Sequence, residues 1–314
     1  MAEPLVSVVV ATHDRPARLA RLLAGLRVQS LGSGRFEVVV VADGCGADTL
    51  ELLAREQARG GLALRVAEQP VARGPAAARN AGWRRARAPL VAFTDDDCVP
   101  APGWLAAGLA QAGHAAVVQG RTEPDPGERS QVGLLSRTHR VERLGPQFQT
   151  CNMFYPRAVL EQLGGFHEEF GLTPGGEDTD LAWRAIAAGH ATRFAPEALV
   201  YHAVEPLGAR ASLRVAGRWS ATVRVFADHP GARSMLYRGL FWNVWHYLLW
   251  RSVLALLAPR WLRRLLLARH LAELRKRARE AGAGRWAVPF LLAHDAVECC
   301  AVARGALRYR TPVL

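Results

Sequence analysis

Residues 89–97 read PLVAFTDDD, an apolar run that ends in three consecutive acids, Asp95, Asp96 and Asp97. The apolar part is typical of a buried strand. Three neighbouring carboxylates repel one another unless a positive group lies among them. If the strand continues, the side chains of Asp95 and Asp97 point the same way and can converge on one cation. The alternative is a turn, or acids favoured at the N-terminus of a helix over residues 101–113.

Buried strands and amphipathic helices alternate in the region that precedes this stretch. Residues 5–11 (LVSVVVA) and 36–42 (FEVVVVA) are continuous apolar runs, typical of strands covered on both faces. Leucines at 19, 22, 23 and 26 have the spacing of an amphipathic helix. Further strands are predicted at 62–67 and 89–94, with helices at 47–59 and 75–87. Four alternations of strand and helix predict an α/β fold with a doubly wound, mostly parallel sheet.

Polar residues follow several of these predicted strands. In such a sheet, ligands bind beyond the carboxyl ends of the strands. Thr12 and Asp14 follow the first strand, Asp43 ends the second, and the three acids end the fourth. We therefore expect all of them at one edge. Asp43 can accept hydrogen bonds from a nucleobase or ribose there, although a turn aspartate before Gly44 explains it equally well.

Three further segments carry candidate functional residues. Arg79 lies in VARGPAAARNAG (71–82), whose small residues let a phosphate approach closely; a solvated helix face is the alternative. Residues 177–180 (EDTD) begin a predicted helix, where acids complement the helix dipole. The preceding Gly175-Gly176 permits the close approach that a catalytic base requires. His202 ends a predicted strand, and a lone histidine is more often an ordinary structural residue.

The rest of the chain is less regular, and its composition changes near residue 205. Beyond that point acids become sparse, and arginines alternate with tryptophan and leucine. We therefore predict an α/β domain over residues 1–205 and a helical extension over 206–314. Within the first domain, strands are predicted at 115–121 and 150–155, helices at 130–144, 156–163 and 177–188, and extended segments at 191–195 and 198–202.

Charge and cysteine content narrow the class of protein. The 314-residue chain has a formal net charge of +12, almost entirely from arginine, because Lys276 is its single lysine. That charge suits polyanionic partners, which are nucleic acid, an anionic membrane surface or a phosphorylated substrate. Five cysteines without CxxC spacing predict reduced thiols in a cytoplasmic protein, and not a disulfide framework or a zinc site. The first residues lack the basic start and long apolar core of a secretion signal.

Seven stretches in order resemble glycosyltransferase family 2, whose members have the GT-A fold and use nucleotide-diphosphate sugars. The resemblance covers about the first 205 residues and implies a nucleotide-sugar half over 1–121 and an acceptor half over 122–205. The stretches are VSVVVATHDRPARLARLL (6–23), FEVVVVADG (36–44), GPAAARNAGW (74–83), PLVAFTDDDCVPAPGWL (89–105), TCNMFYPRAVLEQLGGFHEEF (150–170), GGEDTDLAWRAIAAGH (175–190) and FAPEALVYH (194–202).

The resemblance implies a role for each matching position. Asp178 matches the catalytic base. Asp95 and Asp97 match the DXD-type metal motif, which implies Mn²⁺ or Mg²⁺ as the cofactor, and His202 matches a histidine that completes metal coordination in some members. The implied nucleotide-sugar-binding residues are Thr12, Asp14, Asp43, Arg79, Asp95 and Asp96, and the implied acceptor-side residues are Glu177, Asn152 and Trp183.

Two positions depart from the family pattern. Gly44-Cys45 stand where many members have a second aspartate and a serine, so the nucleobase of the donor stays open. Cys98 replaces the second acid that follows the metal motif in the family, and we interpret it as a packing residue.

The function implied is that of a metal-dependent, inverting glycosyltransferase. It would move a sugar from a nucleotide-diphosphate donor to a hydroxyl on a glycan, lipid-linked or small-molecule acceptor. One alternative is a sugar nucleotidyltransferase, but the glycine-rich loop expected after the first strand is replaced by Thr12-His13-Asp14. The other is a basic nucleic-acid-binding module, but clustered acids at the ligand edge would repel phosphate. We therefore expect no nucleic-acid partner.

The extension contains the most hydrophobic window of the chain, residues 239–258. Its length would cross a bilayer, but Asn243, His246 and Arg251 lie inside it. The following residues 260–279 form a predicted basic amphipathic helix. Three alternatives stay open: packing on the catalytic domain, peripheral membrane contact through 239–279, and a true span. We expect the protein in the cytoplasm. If residues 239–279 contact a membrane, we expect it at the inner face of that membrane.

Overall fold

The computed structural model describes residues 3–115, 117–172 and 175–314. The chain divides into two compact units. The first contains the residues up to Arg129 together with Thr138–Ala203, and the second contains Ser130–Arg137 and Val204–Leu314. The chain therefore enters the second unit at residue 130, returns to the first at 138 and leaves it again after 203.

Ten strands and eleven α-helices lie in the described ranges. The strands are β1 (Val6–Thr12), β2 (Phe36–Asp43), β3 (Leu64–Gln69), β4 (Leu90–Asp95), β5 (Cys98–Pro100), β6 (Val117–Pro124), β7 (Ser136–Arg137), β8 (Asn152–Pro156), β9 (Thr192–His202) and β10 (Glu205–Pro206). The helices are α1 (Pro16–Arg27), α2 (Ala47–Arg59), α3 (Pro75–Trp83), α4 (Trp104–Ala112), α5 (Arg157–Leu163), α6 (Glu177–Ala187), α7 (Ala209–Ala216), α8 (Arg224–Asp228), α9 (Val244–Ala255), α10 (Arg260–Glu280) and α11 (Ala287–Arg308).

The first unit is built on one mixed sheet with the strand order β3-β2-β1-β4-β8-β6-β9-β5. Strands β3, β2, β1 and β4 are mutually parallel, and β6 and β9 are also parallel to each other. Strands β8 and β5 run antiparallel to their neighbours. The mostly parallel α/β sheet predicted from the sequence is thus confirmed. Because β2 and β4 lie on opposite sides of β1, a topological switch point lies between β1 and β4.

Both faces of the parallel strands are covered, as their continuous apolar runs predict. Val8 and Val10 of β1 face the same core as the leucines of α1, whereas Val9 faces the opposite one. The first core also contains Leu19, Leu22, Leu23, Leu26, Val38 and Val40, and the second contains Val39, Trp83, Val91, Phe93, Phe166 and Leu181.

The helix predicted over residues 130–144 is wrong. In this fully described segment a short 3₁₀ turn ends at Gln131, and Ser136–Arg137 form β7, which pairs antiparallel with β10. Arg137 donates to Glu205 at 2.6 Å across this pair, from 68 residues away in sequence. Non-local pairing therefore outweighs the helix propensity of the segment, which local sequence alone cannot show.

The second unit is helical, as predicted for the extension. Asn243 accepts hydrogen bonds from the backbone N–H groups of Trp245 and His246 and so begins α9. Helices α10 and α11 pack through a small core, and Arg277 of α10 donates twice to Asp295 of α11, at 2.6 and 3.2 Å. No helix in the described ranges of the chain combines the length and hydropathy needed to cross a membrane.

Candidate active site

The site begins where β1 and β4 end side by side. Ala11 is the register partner of Asp95, so Thr12 and the acidic stretch lie at the same sheet edge. Thr12 Oγ1 donates to Asp96 Oδ2 at 2.8 Å. Arg15, immediately before α1, donates to Asp96 Oδ1 at 3.2 Å and to Asp97 Oδ2 at 3.0 Å. Arg15 therefore supplies part of the positive charge that three adjacent carboxylates require.

The three acids point in different directions, because the chain turns at residues 96–97 between β4 and β5. Asp95 accepts a hydrogen bond from Arg79, whereas Asp96 contacts Thr12 and Arg15. Asp97 faces Arg15 on one side and His202 on the other. The group of potential metal-ligand atoms within 4.8 Å of one another consists of Asp97, Cys98 and His202, and Asp95 lies outside it.

Asp97 and His202 have the properties of cation ligands. His202 Nδ1 lies 2.8 Å from the carbonyl oxygen of Ala203, so this nitrogen carries the proton and donates. The other ring nitrogen, Nε2, is 3.5 Å from Asp97 Oδ1. Among the described residues, that carboxylate oxygen is buried and has no hydrogen-bond partner. A buried acceptor beside an imidazole of fixed tautomer fits a divalent cation such as Mn²⁺.

Cys98 lies opposite His202 in the pairing of β5 with β9. Its side chain is fully buried, and burial raises the pKa of its thiol well above the ordinary value. A thiol that stays protonated is a poor metal ligand. Its position within the ligand group does not alter its interpretation as a packing residue.

Burial and neighbouring charges act differently on the first two acids. Burial would raise the pKa of Asp95, but the charge and hydrogen bond of Arg79 act in the opposite direction, and the pKa lies below its ordinary value. Burial raises the pKa of Asp96 to about 6, against the opposing effect of Arg15. Asp95 is therefore the more strongly ionised of the two.

Arg79 joins the end of β4 to the start of α6. Its guanidinium donates to Asp95 Oδ1 at 2.9 Å and to Glu177 Oε1 at 3.0 Å. The residue is only 7% exposed, and although burial lowers the pKa of its guanidinium, the two carboxylates raise it. Glu177 Oε2 also accepts the backbone N–H of Gly175 at 2.8 Å. One buried cation thus brings two acidic segments of the sequence, 95–97 and 177–178, into one site.

The position of α3, which carries Arg79, depends on Asp43. The carboxylate of Asp43 accepts the backbone N–H groups of Arg73 and Gly74, each at 2.8 Å. Gly74 has φ +90°, and a Cβ there would lie 2.7 Å from the carbonyl oxygen of Gly171. The strand end and a tight glycine turn together determine where the helix begins.

Asp178 lies beside this network at the start of α6. Burial, and next the negative charge of Glu177, raise the pKa of Asp178 to about 7, while Arg79 acts in the opposite direction. Its Oδ1 accepts the backbone N–H of Thr179 at 2.8 Å. A carboxyl group with a pKa near neutrality has the property expected of a general base.

Other predicted residues are engaged by the protein itself. Asp14 (φ +51°) accepts the backbone N–H of Gly46 at 2.7 Å, which holds the turn after β1. Asn152 donates to the carbonyl groups of Arg121 and Ala198 and accepts from Trp104 Nε1. Trp183 Nε1 donates to the carbonyl of Pro146 at 3.0 Å. These contacts are structural for Asn152, which is 1% exposed, whereas the other two side chains are more accessible.

Sequence reasoning missed two residues of the site. Arg15 pairs with Asp96 and Asp97, and its signal was available as the basic residue of the turn after the first strand. The ring of His139 lies 4.7 Å from that of His202, edge to face. No sequence pattern identifies His139 as a site residue, and the sequence predicts a helix over its segment.

Comparison with known proteins identifies the family of the chain. Residues 7–165 match the family described as Glycosyl transferase family 2, and residues 91–293 match Glycosyl transferase family group 2. The chain belongs to glycosyltransferase family 2. The family resemblance seen in the sequence is confirmed.

Two curated relatives of this family 2 chain are named as glycosyltransferases. The pre-mycofactocin glycosyltransferase of Mycobacterium tuberculosis is 31% identical over 216 residues, which are 63% of this chain and 42% of that protein. The validoxylamine A glucosyltransferase of Streptomyces hygroscopicus is 33% identical over 223 residues, 59% of this chain and 49% of that protein. The matched region thus spans about half the length of these relatives.

Solved structures show that the family 2 chain has the GT-A fold. A mannosyltransferase from Pyrobaculum calidifontis, solved with GDP-Man and Mn²⁺, has a TM-score of 0.62 at 22% identity, covering 98% of this chain and 88% of that chain. S. aureus TarS 1–349 with UDP-GlcNAc has a TM-score of 0.55 at 16% identity, covering 98% and 92%.

Proposed function

We propose that this chain transfers a sugar from a nucleotide-diphosphate donor to an acceptor hydroxyl, with inversion at the anomeric carbon. The proposal depends on one observation, the bridge from Arg79 to Asp95 and Glu177. It brings the candidate metal edge and the candidate base, Asp178, into the same site. Family membership favours this reaction over the sugar nucleotidyltransferase and nucleic-acid-binding alternatives.

The donor would bind at the edge formed by β1, β2 and β4. Thr12, Asp14 and Asp43 lie at the ends of the first two strands and would contact the nucleoside. Arg15 contacts Asp96, the acid that Thr12 also contacts, so its guanidinium would also lie near the diphosphate. The two solved relatives hold a guanine and a uracil nucleotide sugar, so both bases belong in a donor test.

Asp97 and His202 would hold the divalent ion, with Asp95 and Asp96 nearby. The acceptor carboxylate oxygen of Asp97 and the unprotonated Nε2 of His202 are the ligand types for Mn²⁺ or Mg²⁺. When bound, the ion would offset the negative charge that develops on the departing nucleoside diphosphate.

Asp178 would act as the general base. It takes the proton of the acceptor hydroxyl as that oxygen forms a bond to the anomeric carbon. The bond from this carbon to the diphosphate oxygen breaks on the opposite face, and the electron pair leaves with the nucleoside diphosphate. A single displacement inverts the configuration. Arg79 positions Glu177, whose charge helps to keep the pKa of Asp178 near neutrality.

Acceptor choice and location complete the proposal. Trp183 lies on α6 near the base and would face the acceptor, whereas the buried Glu177 would act on the acceptor side only through Asp178. The acceptor is a glycan, a lipid-linked or a small-molecule hydroxyl compound. A cytoplasmic enzyme with peripheral contact at the inner face of the membrane would suit the lipid-linked class.

A donor panel tests the reaction. GDP- and UDP-sugars are incubated with the full chain in Mn²⁺, in Mg²⁺ and in EDTA, and release of nucleoside diphosphate is measured. Asp178→Asn should abolish transfer while donor binding, measured by calorimetry, survives. Asp228→Asn, an exposed aspartate of the second unit, is the matched control and should leave turnover unchanged. Turnover by Asp178→Asn at the wild-type rate would remove Asp178 from the base role.

A further inference from the structure

The junction of α9 and α10 exposes a cluster of large apolar side chains. Sixteen large hydrophobic residues are exposed in the described part of the chain, and eight of them lie between residues 253 and 271. Leu257 is 88% exposed and Trp261 is 70% exposed. We call these eight residues the apolar surface: Val253, Leu254, Leu256, Leu257, Trp261, Leu265, Leu267 and Leu271.

Packing within the second unit does not explain this surface. The buried residues of α10 are His270, Leu274 and Ala278, all in its second half, and residues 260–269 bury none. The exposed leucines of the first half, Leu265 and Leu267, therefore do not serve the helical core, whereas Leu262 and Leu266 are half-buried. A group of exposed apolar side chains of this kind marks a surface that contacts a membrane or another molecule.

The charge around the apolar surface has a single sign. Residues 229–272 contain seven arginines and no lysine, aspartate or glutamate. Arg260 and Arg264 lie within the apolar surface itself and are exposed. Long arginine side chains can cover apolar surface while their guanidinium groups reach phosphate. Leucines and arginines are distributed around α10, so this helix lacks the separate apolar face that the amphipathic pattern predicted over 260–279 would give it. Exposed leucine and tryptophan beside arginine still suit an anionic membrane surface, where apolar side chains enter the interface and guanidinium groups reach phosphate.

We propose that the apolar surface docks on an anionic lipid bilayer, with Leu257 and Trp261 entering the interface and the neighbouring arginines among the headgroups. This narrows the membrane contact predicted over 239–279. Aromatic residues in the part of this range that precedes Val253 pack inside the second unit. The ring of Trp242 contacts those of Trp219 and Phe226, and the ring of Tyr247 contacts that of Tyr237. Contact therefore begins at Val253. The proposal does not depend on the transfer reaction.

Vesicle sedimentation of the full chain tests the proposal. We expect binding to phosphatidylglycerol-containing vesicles, weaker binding to phosphatidylcholine alone, and loss of the difference as salt rises from 0.1 to 1 M, where the Debye length falls from about 10 to about 3 Å. Leu257→Glu with Trp261→Ser should weaken binding by about tenfold or more. The matched control is Leu307→Glu with Trp286→Ser, since Leu307 is 80% exposed outside the apolar surface.

A second pair of variants tests the charge. Arg260→Gln with Arg264→Gln should weaken binding to anionic vesicles by about tenfold or more, and should not affect the weak binding to neutral vesicles. Arg275→Gln with Arg279→Gln, at exposed positions in the second half of α10, is the matched control. Circular dichroism spectra and melting curves that match the wild type show that each variant is folded.

Three results would overturn the proposal. The first is a wild-type chain that stays in the supernatant with anionic vesicles at 0.1 M salt, and the second is a control pair that loses as much binding as its test pair. The third is a dimer that the Leu257→Glu, Trp261→Ser variant converts to a monomer without any change in vesicle binding, seen by sedimentation velocity. That result would assign the apolar surface to a second copy of the chain.

Discussion

Replacing Arg79 by methionine tests the feature that holds the candidate site together. The buried guanidinium donates to Asp95 at 2.9 Å and to Glu177 at 3.0 Å. Methionine keeps most of the side-chain volume but removes both donors and the charge. Removing one partner of a buried ion pair costs about 3–5 kcal/mol, because the remaining charges stay desolvated. The Glu177 carboxylate, 3% exposed, contributes more of this cost than Asp95, at 28%.

Arg73→Met is the matched control six residues earlier. Its ion pair with Glu168 has a similar length, 2.8 Å, but the arginine side chain is 60% exposed. Exposed pairs contribute about 0–1 kcal/mol. Urea unfolding followed by circular dichroism measures both variants, and sugar transfer is assayed in parallel. Equal destabilisation by the two variants would refute the assignment of Arg79 as the buried link between β4 and α6.

Three further outcomes are expected. The kcat/KM of the wild type should fall as pH drops below about 7, since only ionised Asp178 can accept a proton, and burial raises its pKa to about 7. Glu177→Gln should move this limb to lower pH, because it removes the neighbouring negative charge; a limb that stays in place would assign it to another group. His202→Ala and Asp97→Ala should each weaken Mn²⁺-dependent donor binding by about tenfold or more in calorimetry, whereas Cys98→Ala should not. Equal donor affinity with and without Mn²⁺ in the wild type would contradict the ligand assignment.

The edge of the sheet could be predicted from sequence because it depends on local signals. The apolar runs of β1, β2 and β4 identify buried parallel strands, and such strands align their carboxyl ends. Thr12, Asp43 and the acids at 95–97 follow from that rule alone. Their convergence needed no knowledge of side-chain packing.

Directions of side chains and non-local contacts could not be predicted in this way. The sequence suggests that Asp95 and Asp97 converge, but the turn between β4 and β5 sends Asp95 to Arg79 and Asp97 to His202. Asn152 lies in a stretch that matches the family, yet its side-chain amide donates to the backbone carbonyl groups of Arg121 and Ala198 on two other strands. Such outcomes depend on which residues meet after folding, and spacing along the chain does not encode them.

The inclusion of residues 130–137 in the second unit affects how the protein can be divided into fragments. Because this short segment belongs to the second unit while both its neighbours belong to the first, no single cut separates the two units. Truncation after residue 203 would leave Leu134 without its partners in α10 and α11, and β7 without β10. An orphaned edge of this kind is prone to aggregation. Limited proteolysis should therefore yield fragments that remain associated until denaturant is added.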